Sequence, residues 1–133
     1  MKKTAEEILS NIKNLPVDEY ATPCTVTADV SDSVQFLIQL MKDKGVRHIP
    51  IFKKGELAGM VSDRDVQNLQ DSELGAGEIM SKDVYEVVSG TLLREVVFEM
   101  SSKKIGSVIV TNDGECSIFT SVDALNALNE ILQ

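Results

Sequence analysis

The feature that most constrains this chain is an internal repeat. GMVSDRDV at 59–66 and SIFTSVDAL at 117–125 each place a hydroxyl residue three positions before an aspartate. The two hydroxyl residues and the two aspartates are each 58 residues apart, whereas Met41 and Met100, earlier in each copy, are 59 apart. Self-similarity at such a period predicts one structural unit written twice, with a shift of one residue inside the unit.

Both copies contain the same predicted order of elements. An extended run is followed by a helix, then by two strands joined through KKGE or TNDGE, then by a second helix. In the first copy these segments are 25–30, 31–45, 46–52, 57–61 and 63–69. In the second copy they are 83–88, 91–104, 105–110, 116–119 and 121–132. The sequence therefore predicts β-α-β-β-α twice.

One such unit is too small to bury a sheet face and two helices by itself, so the two copies are expected to pack together. The predicted fold class is α+β, with two β-α-β-β-α repeats packed as a pseudo-twofold pair behind an N-terminal helix. The predicted boundaries are 1–19 for the helix and lead-in, 20–73 for the first repeat and 74–133 for the second, in one compact domain. The helix is predicted from TAEEILSNIKNL, in which Thr4 and Glu7 form a capping box.

Composition narrows the possible functions. The net charge of -8 should repel polyanions, so nucleic acid is not expected as a partner. The sequence has no apolar run of the roughly 20 residues that span a bilayer and no apolar stretch behind the N-terminal lysines, which predicts a soluble cytoplasmic protein without a membrane partner. Cys24 and Cys116 are far apart in sequence without Cys-x-x-Cys spacing, and we expect reduced thiols.

The repeated hydroxyl and aspartate allow two interpretations. A Ser or Thr at a helix start with an acid three residues later is a capping box, which needs no ligand. The same arrangement can form a site, because a carboxylate accepts hydrogen bonds from both hydroxyls of a ribose diol and helix-start amides attract a phosphate.

Basic residues near the first motif favour the ligand interpretation. Arg47 and His48 begin a predicted strand and Arg64 lies inside the motif, while Lys103 and Lys104 precede the corresponding strand of the second copy. The alternative remains that His48 is a packing residue and that the other basic side chains only keep the surface soluble.

VRHIPIFKKGELAGMVSDRDV and IGSVIVTNDGECSIFTSVDAL, joined through GEIMSKDVYEV, resemble the two cores of a tandem CBS-domain pair, the Bateman module. The resemblance covers essentially residues 20–130. It implies a pseudo-twofold pair that binds an adenosine-containing ligand, such as AMP, ADP, ATP or S-adenosylmethionine, in clefts between the repeats.

The resemblance also implies roles for individual residues. Ribose would be bound by Asp65 and Asp123 with Ser62 and Thr120, phosphates by Arg47, His48 and Arg64, and the base by backbone near Ile49 and Pro50 or Ser107 and Val108. The linkers Thr22 to Thr25 and Ser81 to Val84 would close the clefts. The second copy departs from the pattern, with Ser117 in place of Gly59 and Val122 in place of Arg64, so its occupancy is expected to be weaker.

The expected function is that of a small stand-alone regulatory or energy-sensing module that binds an adenine nucleotide and acts on a separate protein. The alternative is a dimeric protein-interaction module that binds no ligand. Catalysis is not expected, because one histidine and no carboxylate pair near a nucleophile leave little for acid-base chemistry, and no metal or obligatory cofactor is implied. A homodimer is expected from apolar residues that one pair would leave exposed, namely Leu74, Leu125, Leu128 and Ile131.

Overall fold

The computed structural model describes residues 4–133, which form an α+β fold of five α-helices and two small sheets. The helices are α1 (Ala5–Lys13), α2 (Val34–Lys44), α3 (Ala76–Ile79), α4 (Leu93–Lys103) and α5 (Ser121–Ile131), with a 3-10 turn at Val17–Glu19. The strands are β1 (Thr22–Pro23), β2 (Ala28–Asp29), β3 (His48–Lys53), β4 (Glu56–Ser62), β5 (Glu86–Val88), β6 (Ser107–Asn112) and β7 (Glu115–Thr120). The predicted α+β class is confirmed, and the predicted β-α-β-β-α order is complete in the second repeat.

The chain divides into two compact units that do not follow the order of the repeats. The central unit is Cys24–Val84, and the flanking unit combines Met1–Pro23 with Tyr85–Gln133. In the central unit the sheet has the order β2-β3-β4, and in the flanking unit it has the order β1-β7-β6-β5. The lead-in to the first repeat is therefore part of the unit built by the second.

Equivalent backbone hydrogen bonds fasten each lead-in to its unit. In both units, the segment ahead of one repeat pairs with the residues that begin the long helix of the other. In the flanking unit, the Val17 amide donates to the Thr91 carbonyl at 2.8 Å and the Leu93 amide donates to the Leu15 carbonyl at 2.8 Å. In the central unit, the Ala76 amide donates to the Asp32 carbonyl at 2.7 Å and the Val34 amide donates to the Leu74 carbonyl at 3.1 Å. The first amide of each long helix, at Val34 and Leu93, is thus satisfied by a carbonyl from a distant segment.

The long helices predicted at 31–45 and 91–104 are confirmed as α2 and α4. α2 buries Val34, Leu37 and Met41 and ends at Gly45, whose φ of 64° lies in the left-handed region. Its N-cap is Ser33, whose side chain accepts a hydrogen bond from the Phe36 amide at 3.1 Å. α4 correspondingly buries Leu93, Val96 and Met100. In both cases, the buried stripe covers the sheet of the same unit.

A β-bulge explains why the repeat changes period by one residue. In the β3–β4 hairpin, Gly59 pairs with Ile51 but Leu57 pairs with Phe52, which leaves Ala58 as an extra residue. The β6–β7 hairpin pairs residue for residue from end to end. Both hairpins close through two residues with positive φ, as tight hairpin turns require. The shift from 59 to 58 is therefore located at Ala58.

The predicted closing helix of the first repeat is wrong. Residues 63–68 form successive tight turns, and Asn68 has a φ of 65°, which a right-handed helix cannot accommodate. The equivalent helix of the second repeat is confirmed as α5. Its buried face contains Ala127, whereas the larger residues at helical spacing, Val122, Leu125 and Leu128, are 54%, 64% and 49% exposed.

The predicted capping box of Thr4 and Glu7 is confirmed. The helix α1 buries none of its residues and ends at Lys13. Among residues 4–133, no helix has the length and apolar character that crossing a membrane requires. The prediction that Cys24 and Cys116 are reduced thiols is wrong, since both are disulfide-bonded. Sequence spacing carries no information on the sulfur geometry that decides this.

Candidate ligand-binding site

The two hydroxyl-aspartate motifs have the same local geometry. Asp65 Oδ2 accepts hydrogen bonds from the Ser62 amide at 2.8 Å and from Ser62 Oγ at 3.1 Å. Asp123 Oδ2 accepts from the Thr120 amide at 2.8 Å and from Thr120 Oγ1 at 3.1 Å. All four residues are half-buried, so each carboxylate is oriented by its own strand end while remaining accessible to solvent.

The capping interpretation fits one motif better than the other. Thr120 is the N-cap of α5, and its side chain accepts a hydrogen bond from the Asp123 amide at 3.4 Å, which completes a capping box. The turns after Ser62 are not an α-helix, and there the Asp65 amide donates to the Ser62 carbonyl at 3.0 Å instead. The ordered carboxylate of Asp65 therefore has no α-helix to cap.

Strand register brings the predicted residues of each copy together. His48 on β3 lies opposite Ser62 on β4, and Ser107 on β6 lies opposite Thr120 on β7. The Asp63 amide donates to the Arg47 carbonyl at 2.9 Å, which holds Arg47 beside the motif that contains Arg64. In the flanking unit, the equivalent bond joins the Ser121 amide to the Gly106 carbonyl at 3.0 Å.

Two groups of residues result from this register. The central element consists of Arg47, His48, Ser62, Asp63, Arg64 and Asp65. The flanking element consists of Gly106, Ser107, Thr120, Ser121, Val122 and Asp123. Asp63 was not singled out from the sequence, although its position directly after the motif hydroxyl is the signal that could have found it.

The residues expected near the base are less exposed. Ile49 and Val108 are fully buried, and Pro50 is buried as well, so their side chains belong to the cores of their units. These three residues have almost no exposed area, backbone included, whereas Ser107 is half-buried. The expected recognition of a base by the backbone of this stretch stays a prediction.

Each linker pairs with the second strand of a hairpin, as an isolated bridge in the central unit and as the short strand β1 in the flanking unit. Ser81 and Met60 exchange two backbone hydrogen bonds of 2.9 Å, while Thr22 and Pro23 pair with Ile118 and Ser117. A Cβ on Gly59 would lie 2.6 Å from the Ser81 carbonyl oxygen and 2.7 Å from Met80 Sδ. The glycine is therefore required by the close approach of the linker, a reason the sequence does not display.

Burial and charge act in opposite directions on His48. Desolvation lowers the pKa of the half-buried imidazole below its ordinary value of 6.5, whereas Asp63 and Asp65 raise it and Arg47 lowers it further. The net direction is downward, so the imidazole is neutral at pH 7. The positive charge of the central element accordingly comes from Arg47 and Arg64, both exposed, and no ion pair within residues 4–133 includes either of them.

The flanking element lacks those charges. Gly106, Ser107 and Val122 occupy the positions of Arg47, His48 and Arg64. Lys103, a candidate from the sequence, forms an ion pair with Glu99 at 2.9 Å and lies 5.2 Å from the centre of the Tyr85 ring. Within the described part of the chain, no group of three or more metal-ligating side chains is assembled in either unit.

Comparison with known proteins agrees with this architecture. The sequence model of the CBS domain family matches this chain twice, at residues 17–71 and 76–130. The chain therefore belongs to the CBS-domain proteins and carries two copies of the domain. The predicted resemblance to a CBS-domain pair is confirmed.

Two curated relatives come from Methanocaldococcus jannaschii. Protein MJ1225 is 24% identical over 76% of this chain, and protein MJ0188 is 33% identical over 45% of it. The chain spans 39% and 23%, respectively, of the lengths of these relatives.

Solved structures of similar fold include AcuB of Vibrio cholerae, named for acetoin utilization. That structure is 27% identical, with a TM-score of 0.81, and the match covers 90% of this chain and 95% of AcuB. The CBS-domain pair of protein MJ0100, in complex with 5′-methylthioadenosine and S-adenosyl-L-methionine, is 23% identical with a TM-score of 0.78, covering 86% and 96% of the two chains. At that identity the likeness shows the fold alone.

Proposed function

We propose that this chain is a regulatory, energy-sensing module that binds an adenosine-containing ligand and catalyses no reaction. The ligand class is AMP, ADP, ATP or S-adenosylmethionine, and the ribose hydroxyls are bound by Asp65 with Ser62 and by Asp123 with Thr120. The observation that carries the proposal is the ordered Asp65 carboxylate, which no α-helix requires as a cap and which lies among two exposed arginines.

The chemistry of the central element suits such a ligand. A carboxylate held by one serine keeps lone pairs for two ribose hydroxyls. Arg47 and Arg64 supply the planar donors that bind phosphate oxygens in pairs. Neutral His48 can donate or accept a hydrogen bond without adding charge. The complex of MJ0100 with two adenosyl compounds supports the ligand class for a protein of this fold.

A panel of AMP, ADP, ATP, NAD and S-adenosylmethionine in thermal-shift measurements tests the proposal. A ligand that binds only the folded state at 100 times its dissociation constant stabilises that state by about 2.7 kcal/mol. We expect at least one adenosyl ligand to raise the melting temperature by several degrees. The double variant Asp65→Ala and Asp123→Ala should lose the shift, and the absence of any shift in the unchanged chain would refute the proposal.

A second candidate function is a dimeric interaction module, favoured by an apolar groove on the flanking unit. The groove has a volume of about 550 Å³ and is lined by α1, α4 and α5 through residues that include Ile12, Val97, Leu125, Leu128 and Ile131. Leu125 is 64% exposed and Leu128 is 49% exposed. An apolar face of this kind on a small protein marks an interaction site.

The occupant that we propose for the groove is a second copy of this chain, in agreement with the homodimer expected from the sequence. Sedimentation velocity should give twice the chain mass at tens of micromolar, about tenfold above a dissociation constant near 1 μM. Leu125→Glu should give monomers. Leu132→Glu, a matched change at a 75% exposed residue that does not line the groove, should leave the dimer intact. A monomeric unchanged chain would contradict dimerisation without affecting ligand binding.

The regulated target is proposed to be another polypeptide whose activity follows ligand occupancy of this module. Ligand binding shifts a partner only if the partner has different affinities for the bound and unbound states. Affinity capture with and without the ligand identified in the panel would reveal such a partner. Equal capture in both conditions would argue for the interaction module alone.

A further inference from the structure

The central and flanking elements have matching hydrogen bonds but different charges. In both, the carboxylate accepts from its strand end at 2.8 and 3.1 Å, and a carbonyl on the neighbouring strand accepts from the residue after the motif hydroxyl. The side chains around this common frame differ at every remaining position. From central to flanking element, they change from Arg47 to Gly106, from His48 to Ser107, from Asp63 to Ser121 and from Arg64 to Val122.

The central element combines two arginines with two aspartates. Arg47 and Arg64 balance Asp63 and Asp65, so the element is neutral, whereas Asp123 gives the flanking element one negative charge. The Asp63 amide donates to the Arg47 carbonyl, and Arg64 follows Asp63 in the chain. The backbone of both arginines therefore lies next to Asp63. Since neither is in an ion pair within residues 4–133, both guanidinium groups can bind an added anion. A phosphate is the anion whose geometry matches paired guanidinium donors.

The flanking element offers a phosphate no such partner. Its replacements for the two arginines are uncharged, and Val122 is 54% exposed, so the surface there is apolar. The remaining charge in the element is the carboxylate of Asp123, which would repel an anion. Lys103 is already paired with Glu99. Lys104 is exposed two residues before Gly106 and is the one basic side chain nearby that could compete with this interpretation.

We infer, building on the proposed function, that the two elements bind adenosyl ligands of different charge. The central element binds a phosphorylated adenosyl ligand, through Arg47 and Arg64. The flanking element binds an adenosyl ligand without phosphate, such as adenosine itself, a thioether nucleoside or a sulfonium nucleoside. The chain would then respond to two classes of metabolite rather than to one ligand in duplicate.

Single-site variants separate the elements. The variant Asp123→Ala keeps only the ribose aspartate of the central element, and Asp65→Ala keeps only that of the flanking element. Each variant is titrated calorimetrically with ADP and with adenosine. In Asp123→Ala, ADP should bind roughly tenfold or more tightly than adenosine, because charge-assisted hydrogen bonds from two arginines add to the nucleoside contacts. In Asp65→Ala, ADP should bind no more tightly than adenosine. Melting curves verify folding, and Asp65→Asn and Asp123→Asn replace any variant that does not fold.

Exchanging one charge provides a stricter test. Val122→Arg in the Asp65→Ala background should shift the preference of the flanking element toward ADP by several-fold. Asn129→Arg, which adds the same charge to an exposed position further along α5, should not. Arg64→Val in the Asp123→Ala background should reduce the ADP preference of the central element while adenosine affinity stays within about twofold.

The outcomes distinguish the two proposals. If Asp65→Ala retains a tenfold preference for ADP, or if Val122→Arg and Asn129→Arg act alike, the charge assignment is wrong although adenosyl binding stands. A preference that disappears in Lys104→Ala would identify Lys104 as the phosphate contact and would also overturn the inference. If the unchanged chain binds neither ADP, adenosine nor S-adenosylmethionine, the proposed function fails and the inference fails with it.

Discussion

The central and flanking units place the same backbone arrangement in two different surroundings. Both have a long amphipathic helix, a hairpin, a linker that pairs with the second strand of that hairpin, and an aspartate held at 2.8 and 3.1 Å by its strand end. After the aspartate, however, one unit continues in turns and the other in an 11-residue helix. A shared hydrogen-bond pattern therefore specifies the fold of each unit, whereas the side chains around it specify its chemistry.

The difference also shows that one motif can have two physical roles. At Thr120 and Asp123, the hydrogen bonds satisfy amides at the start of a helix, so a cap accounts for them completely. At Ser62 and Asp65, no α-helix follows, Arg64 lies inside the motif and Arg47 lies beside it, so capping does not account for the arrangement.

The largest effect is expected at Gly59. Gly59→Ala places a Cβ against the Ser81 carbonyl oxygen and Met80 Sδ, and the linker cannot move away without losing its two hydrogen bonds to Met60. We expect a loss of about 1–3 kcal/mol in the free energy of unfolding, measured by urea denaturation. Ser117→Ala, at the equivalent position of the flanking unit, is the control and should change stability by less than about 0.5 kcal/mol. Equal losses would mean that the two linkers are packed alike.

The second prediction concerns salt. In Asp123→Ala, the affinity for ADP should fall more steeply with added salt than the affinity for adenosine does. We expect the ADP affinity to lose several-fold more than the adenosine affinity by about 1 M salt, because the Debye length is then roughly 3 Å and the charges are screened. In Asp65→Ala, the two salt dependences should be parallel, because no arginine lies in the flanking element. Titrations at four salt concentrations measure the slopes. Parallel slopes in both variants would remove Arg47 and Arg64 from the site.

The third effect is expected at Asp18, which has a glycine, Gly77, as its equivalent in the central unit. Its carboxylate accepts from Ser89 Oγ at 2.6 Å and from the Gly90 amide at 2.7 Å, and these two hydrogen bonds lower its pKa below the ordinary 3.8, with a smaller opposing effect of burial. Asp18→Ala should cost about 0.5–1 kcal/mol at pH 7, since the group is exposed.

The pH dependence of that loss follows from linkage. A lowered pKa in the folded state stabilises the protein above pH 3.8, and the stabilisation disappears as the pH falls through the folded value. The difference between the unchanged chain and Asp18→Ala should therefore shrink below pH 3.8. Asp29→Ala is a matched control, because the hydrogen bonds that the Asp29 carboxylate accepts come from the neighbouring Ser31. An equal effect of both variants would contradict a long-range role for Asp18.

The smallest effect is expected at His48, because burial and the two aspartates act in opposite directions on its pKa. The net lowering means that the folded state takes up the proton less readily than the unfolded state does. Stability should be constant above pH 6.5 and should decrease as the pH falls from 6.5 toward the folded pKa. His48→Gln should lack this decrease between pH 7 and pH 5, measured by thermal melts. A steeper decrease in His48→Gln than in the unchanged chain would reverse the assigned sign.

Local sequence information was sufficient wherever local interactions decide the structure. The apolar spacing in α2 and α4, the left-handed Gly45 and the positive-φ turns before Glu56 and Glu115 were all predictable, because helix periodicity and turn chemistry depend on neighbours along the chain. The repeat itself predicted the family and paired the two motifs. It could also locate a one-residue shift, although not its cause.

The sequence was less informative where contacts between distant segments decide the local structure. The stretch 63–69 has a helical pattern, yet the left-handed Asn68 and the turns around it prevail. In α5, Leu125 and Leu128 are exposed as expected, but the residue that α5 buries is Ala127, which the spacing of the larger apolar residues does not reveal. Periodicity identifies an apolar face without revealing what it contacts.

The sequence alone therefore determined the CBS-domain family, the α+β class, the duplicated unit and the residues of both motifs, because a repeated pattern is visible in one dimension. Only the tertiary structure decided that Val17 belongs with Thr91 and Ala76 with Asp32, so that each unit is completed by the lead-in of the other repeat. It also showed that Asp65 has no helix to cap and that Gly59 is needed for Ser81. The physical reason is that backbone hydrogen bonds between distant segments carry no side-chain signature, so the chain can specify such pairings without displaying them.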